Sequence, residues 1–179
     1  MPATVAPHVY HAHHAMPDVP DARDRLFRPG GRRVPAEIPL DDYVAHGLPH
    51  IVDQGAEHVC TGIALAVAAN YLLRRQAPDG DLHPVSGRML YEMARHHDGF
   101  VLPHEGSTAR GAVKGWRAHG VCGEALWPFQ VDDPDRTLTE ARALDAKRRQ
   151  LGAYHRVCRD DAGQVRQAIA EHGVVYVTL

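Results

Sequence analysis

Asp53-Gln54-Gly55-Ala56-Glu57-His58-Val59-Cys60 runs directly into Thr61-Gly62-Ile63-Ala64-Leu65-Ala66-Val67-Ala68-Ala69-Asn70-Tyr71-Leu72-Leu73. The Asp-Gln-Gly triplet is a turn signal, and the run behind it has the length and composition of a helix. The junction therefore predicts a turn that delivers Cys60 to the first turn of a helix beginning near Val59. Ile63, Val67 and Tyr71 lie on one side of that helix and Leu65, Leu72 and Leu73 on others, so it is apolar nearly all round and reads as central. A thiol at a helix N-terminus feels the positive end of the helix dipole, which lowers its pKa and raises its nucleophilic fraction. Gln54 stands six positions before Cys60. The Gly55 turn folds that interval back, so the Gln54 amide and the Cys60 N–H can converge on one oxygen, as an oxyanion hole requires. Cys60 is the candidate nucleophile and Gln54 the candidate oxyanion donor. A lone cysteine on an apolar helix would otherwise read as a buried structural residue, and Cys122 and Cys158 keep that reading.

Around this junction lies a chain of 179 residues, 44% hydrophobic and 23% charged, in the range of an ordinary globular protein. A net charge of −2 argues against nucleic acid or an anionic membrane surface as an electrostatic partner. The start, Met1-Pro2-Ala3-Thr4-Val5-Ala6-Pro7-His8, has neither the basic nor the apolar part of a secretory signal. Val59 to Leu73 is too short to span a membrane. Three cysteines without C-x-x-C spacing argue against a disulfide framework, so the expected location is cytoplasmic. No cofactor and no metal are expected.

Residues 1–35 are rich in Pro and His and read as a mobile leader. His8, His11, His13 and His14 could chelate an ion, but no Cys or carboxylate completes a set, and a solvated tail is the preferred reading. Residues 35–49 are expected to run extended, with Pro39 and Pro49 blocking helix. Ser86 caps a second helix from Gly87 to about His97, ended by Asp98-Gly99, and Glu105-Gly106-Ser107-Thr108 opens a third that Gly120 closes. Thr137-Leu138-Thr139-Glu140 has the form of a capping box for a charged helix reaching Leu151. Tyr154 to Cys158 reads as a short strand, Asp160 or Asp161 as the cap of a last helix, and Val174 to Leu179 as a buried strand. The expected class is α+β: the leader at 1–35, a helical domain at 36–152, and at 153–179 the start of a second domain that lacks partner strands.

In these segments the chain resembles the papain-like cysteine peptidases, the family of papain and the cathepsins. Gln54-Gly55 and Cys60 keep the family's spacing, in which the nucleophile opens the long central helix. The likeness continues through Ser86 to Gly99, through Glu105-Gly106-Ser107-Thr108-Ala109-Arg110, and through Gly120 to Phe129, which corresponds to the family's Tyr-Gly…Tyr-Pro-Tyr segment. It covers roughly residues 37 to 179. It implies the helical (left) domain of that fold plus the first strands of an incomplete β-barrel-like (right) domain. It also implies a peptide or protein substrate and a cleft bordered by Gly106 and Ser107, where an extended peptide pairs with backbone. The family's Cys-Gly-Ser before the nucleophile and its aromatic after it are here Glu57-His58-Val59 and Thr61. The first change removes a disulfide.

The family's His and Asn lie roughly 130 to 150 residues beyond the nucleophile, which from Cys60 falls past Leu179. His58 could approach the thiol, although a turn histidine is the preferred reading; His96, His97, His104 and His119 sit at expected helix ends or in loops. The resulting expectation is a cysteine-type peptidase whose present chain is poorly active by itself. Its competitor is a non-catalytic, peptidase-like module that binds extended peptides. A histidine-based metal protein is a third reading.

Overall fold

The structure, a computed structural model, describes residues 15–16, 18, 21–41, 43, 52–78, 83–99, 106–133 and 135–177. His8, His11, His13, His14 and His104 lie outside these residues. The described elements are, in order, β1 (Ala15–Met16), α1 (Cys60–Gln76), α2 (Gly87–Asp98), β2 (Ser107–Thr108), α3 (Ala109–His119), α4 (Glu140–Ala146) and α5 (Ala162–His172). The fold is mostly helical, with little strand.

Local chemistry accounts for most helix ends. The Ser86 hydroxyl accepts from the Met89 N–H at 3.0 Å, and Gly99, at φ 70°, closes α2 by donating to the Arg95 carbonyl. Thr108 caps α3 through the Gly111 N–H at 2.8 Å, and Asp161 caps α5 through the Gln164 N–H at 2.9 Å. These side chains satisfy N–H groups that a helix start leaves without partners. α1 is the exception. Val59 precedes it without any side-chain cap, and its start is held by burial, Val59 being 1% exposed.

Leu65, Ala66 and Ala69 of α1, Leu90 and Ala94 of α2, and Ala112 and Trp116 of α3 form one core with Val85 and Val121. A second cluster joins Met89 and Met93 to Cys122, Trp127 and Ala146. Between α1 and α2 the approach is set by Gly62, where a Cβ would stand 2.4 Å from the Gly87 carbonyl oxygen. Between α2 and α3 it is set by Gly115, where a Cβ would stand 2.7 Å from Met93 Cβ. Only glycine fits at such crossings.

The structure departs from the sequence reading at several points. The most enclosed helix is α2, buried from Gly87 through Ala94, whereas α1 exposes Ala64 and half-exposes Ile63 and Val67. Apolar composition does not decide which helix is covered; neighbours on both sides of α2 do. Asp41 and Tyr43, in the stretch expected to be extended, are helical, with the Tyr43 N–H donating to the Leu40 carbonyl at 3.0 Å. Pro39 precedes that turn and therefore does not obstruct it. α4 is capped by Thr139 rather than Thr137 and ends at Ala146, short of Leu151. The Thr137 N–H is already taken by Asp135. The expected strand at 154–158 is reduced to one bridge, in which Arg156 pairs with Leu26. Val174 to Val177 form no ladder, because among the described residues no strand lies alongside them. Thr178 and Leu179 are outside the described residues.

The stretch read as a leader makes defined contacts. Ala15 and Met16 pair in parallel with Ser107 and Thr108. Asp18 accepts from the Arg110 N–H at 2.9 Å, and Asp24 holds the guanidinium groups of Arg110 and Arg156. No helix among the described residues is long and apolar enough to cross a membrane.

Candidate active site

Cys60 is the first residue of α1 and is half-buried. The turn before it is built from its own sequence. The Asp53 carboxylate accepts from the Gly55 N–H at 2.8 Å, Gly55 takes φ 57°, and the Glu57 N–H returns to the Gln54 carbonyl at 3.2 Å. A positive φ of this size suits glycine. Gln54 is half-buried on this turn.

Sequence reading missed what pins the turn. Glu57 is gripped by both arms of Arg88, at 2.7 and 2.9 Å, and also accepts from the Asp132 N–H at 2.6 Å. Arg88 is 0% exposed, stacks its guanidinium 4.9 Å from the Phe129 ring centre, and donates to the Gln130 carbonyl at 2.8 Å. Arg136 lies 3.7 Å from Glu57 and 3.3 Å from Glu92. Burial would raise the Glu57 carboxyl, but the bonds from Arg88 and the Asp132 N–H hold it below its ordinary value. Glu92, more deeply buried and without a hydrogen bond at Oε1 among the described residues, is pushed up by desolvation. An arginine in a helix with apolar neighbours was the available signal, since such a charge must find a partner inside. An ion pair holds the turn here.

The contacts on the other side of Cys60, made through Thr61, are neutral. The Thr61 and Ser107 hydroxyls share a short hydrogen bond, the Gly106 N–H donates to the Tyr91 hydroxyl at 3.1 Å, and the Tyr176 hydroxyl donates to the Thr61 carbonyl at 2.9 Å. The start of α1 and the Gly106-Ser107 segment are thus brought together. Ser107 is 0% exposed. Its side chain belongs to this link, and β1 takes one edge of its backbone. Burial, and then negative charge at Cys60, push the Tyr176 phenol above its ordinary value, so it remains a donor. Cys122 is buried and its thiol is pushed up to about 11 by desolvation, with the Asp145 charge adding. Cys158 is exposed.

Among the histidines, His58 is half-buried in the turn. His97 and His119 instead meet each other, Nε2 to Nε2 at 3.2 Å, with the His96 ring centre 5.5 and 5.9 Å from theirs. Desolvation and the neighbouring histidines lower the pKa of His97, and desolvation, with His96, that of His119.

A scan against protein-family models and a search of curated proteins found no match. Among solved structures the fold is similar to that of xylellain, a cysteine protease from Xylella fastidiosa, at 22% identity and a TM-score of 0.71 over 94% of this chain. It is also similar to digestive procathepsin L 3 of the Tenebrio molitor larval midgut, at 15% identity and a TM-score of 0.62 over 88% of this chain. The chain spans 66% of the first structure and 45% of the second.

Proposed function

We propose that the chain carries the nucleophile half of a papain-like cysteine-type peptidase site. Cys60 attacks the carbonyl carbon of a peptide bond as the thiolate, and the carbonyl oxygen takes up the electron pair. The Gln54 amide and the Cys60 N–H receive that oxyanion. Gly106 and Ser107 border the cleft, on an edge that Ala15–Met16 occupies and that a peptide would take in their place. Expulsion of the amine requires a proton from an acid/base group, and this reading assigns none of the matched residues to that role.

The observation that carries the reading is the placement of a half-exposed thiol at the first residue of α1, directly behind the Gln54-Gly55 turn, in a fold similar to that of cysteine proteases. Alkylation by iodoacetamide at pH 6, read by mass spectrometry of each cysteine peptide, tests it. Cys60 should react faster than the exposed Cys158, and Cys122 should react least. A Cys60 no faster than Cys158 would overturn the nucleophile.

A non-catalytic module that binds extended peptides is favoured by a different observation, the pairing of Ala15–Met16 on β2. An extended segment adds there through backbone alone, without chemistry. Slow alkylation of Cys60 together with retained binding of an extended peptide would support this second reading.

A further inference from the structure

We propose that His97 and His119 form a binding site for a divalent transition-metal cation of the zinc, copper or nickel class. The two imidazoles come from different helices, 22 positions apart, and turn the same ring atom toward each other at 3.2 Å. Two nitrogens each about 2.05 Å from one ion, at a tetrahedral angle, stand about 3.3 Å apart. The observed separation is close to the one a shared ion sets, with the rings turned so that both lone pairs meet the ion rather than each other. Imidazole nitrogen suits zinc, copper and nickel and leaves magnesium and calcium to oxygen ligands.

The helix ends favour a cation, against the desolvation and, at His97, the Lys114 charge that keep both imidazoles neutral and their lone pairs available. His97 lies in the last turn of α2 and His119 in the last turn of α3, where the carbonyl ends of both helices attract positive charge. The charges of Asp98 and Lys114 both act on His97; the Asp98 carboxylate is bonded to Thr108, and Lys114 is drawn aside to Asp21 at 3.4 Å. Gly115 against Met93 lets α2 and α3 approach closely enough for the two side chains to meet. His97 is exposed and His119 half-buried, so an ion has an open approach.

No group of three or more ligating side chains among the described residues converges on one point. The ion is accordingly held by two protein nitrogens and completes its shell with water, while the His96 ring stands beside it. Without an ion, one ring donates its Nε2–H to the other. Binding moves that ring to the Nδ1–H tautomer and gives both Nε2 lone pairs to the metal, with no net loss of a proton. The ion would tie α2 to α3 and is independent of any chemistry at Cys60.

The test is Zn2+ titration of the full chain, followed by imidazole 1H–15N correlation spectra and by competition with a chromophoric zinc indicator. Three proteins are compared: the unaltered chain, a leader variant with His8, His11, His13 and His14 all changed to Gln, and the double variant His97→Gln with His119→Gln. The unaltered chain and the leader variant should share a site whose occupancy shifts the Nε2 signals of His97 and His119. The double variant should bind at least about tenfold more weakly. Loss of the site in the leader variant, or undiminished binding in the double variant, would place the ion on the tail or the thiols and overturn the proposal. Should the double variant lose helicity, the imidazole shifts of the unaltered chain decide, and their absence at saturating Zn2+ overturns it equally.

Discussion

The two walls beside Cys60 are built from opposite chemistry. On one side a buried arginine grips Glu57 with two hydrogen bonds and pins the Gln54 turn. On the other, hydroxyl and amide groups join Thr61, Ser107, Gly106, Tyr91 and Tyr176 with no formal charge among them. The ionic wall is strong while both partners are present and costly when one is lost, because a buried charge without its partner keeps its desolvation penalty. The neutral wall gives less per bond and is indifferent to pH across the carboxylate range. The position of the Gln54 turn is thus sensitive to acid directly, whereas the Gly106-Ser107 segment feels it only through the neighbouring Thr108, whose N–H and hydroxyl donate to the Asp98 carboxylate at 2.8 and 2.6 Å.

Removing the centre of the ionic wall should have the largest effect. Arg88→Ala leaves Glu57 and Glu92 without their buried counter-charge and is expected to cost about 3 to 5 kcal/mol in chemical denaturation. A loss under about 1 kcal/mol would show that water reaches the pair and that the wall is not ionic in effect. Next comes the crossing that carries both walls. Gly62→Ala places a methyl group 2.4 Å from the Gly87 carbonyl oxygen and is expected to cost about 1 to 3 kcal/mol, read as a lowered denaturation midpoint. Ser107→Ala removes one neutral bond and leaves the Thr61 hydroxyl buried without it, a loss of about 1 kcal/mol.

The smallest change sharpens the comparison through slope. Glu57 is held below the ordinary glutamate range by Arg88 and the Asp132 N–H, so the unfolded chain binds the proton more readily. The stability Glu57 contributes is present above its unfolded pKa and is lost as pH falls through the folded one. Glu92 is raised, and its contribution runs the other way, diminishing as pH climbs from the unfolded value through the folded one. Glu57→Gln should therefore flatten the acid limb of the stability curve, whereas Ser107→Ala should lower the curve at every pH. Parallel acid limbs for Glu57→Gln and the unaltered chain would assign the acid sensitivity to other carboxylates.

The site was legible where its determinants are local. Cys60 at a helix start follows from a turn signal and an apolar run, and Ser86, Asp161 and Gly99 mark helix ends by rules that involve only near neighbours. The grip of Arg88 on Glu57, 31 positions away, has no local signature. The same holds for the meeting of His97 and His119, which sequence reading leaves as two ordinary helix-end histidines. The expected strand at Val174 to Val177 shows the converse failure. β-Branched residues favour a pleated surface, but the hydrogen bonds of a strand belong to its neighbour, and none is present among the described residues.

By itself, the sequence determined where most helices begin and end and which thiol stands at a helix start, because capping, turn geometry and apolar periodicity act over a few residues. Only the tertiary structure decided that α2 rather than α1 is the most enclosed helix, that Ser107 bonds to Thr61, and that an ion pair holds the turn before Cys60. Those outcomes depend on which surfaces lose water together, and that is settled by the packing of distant segments.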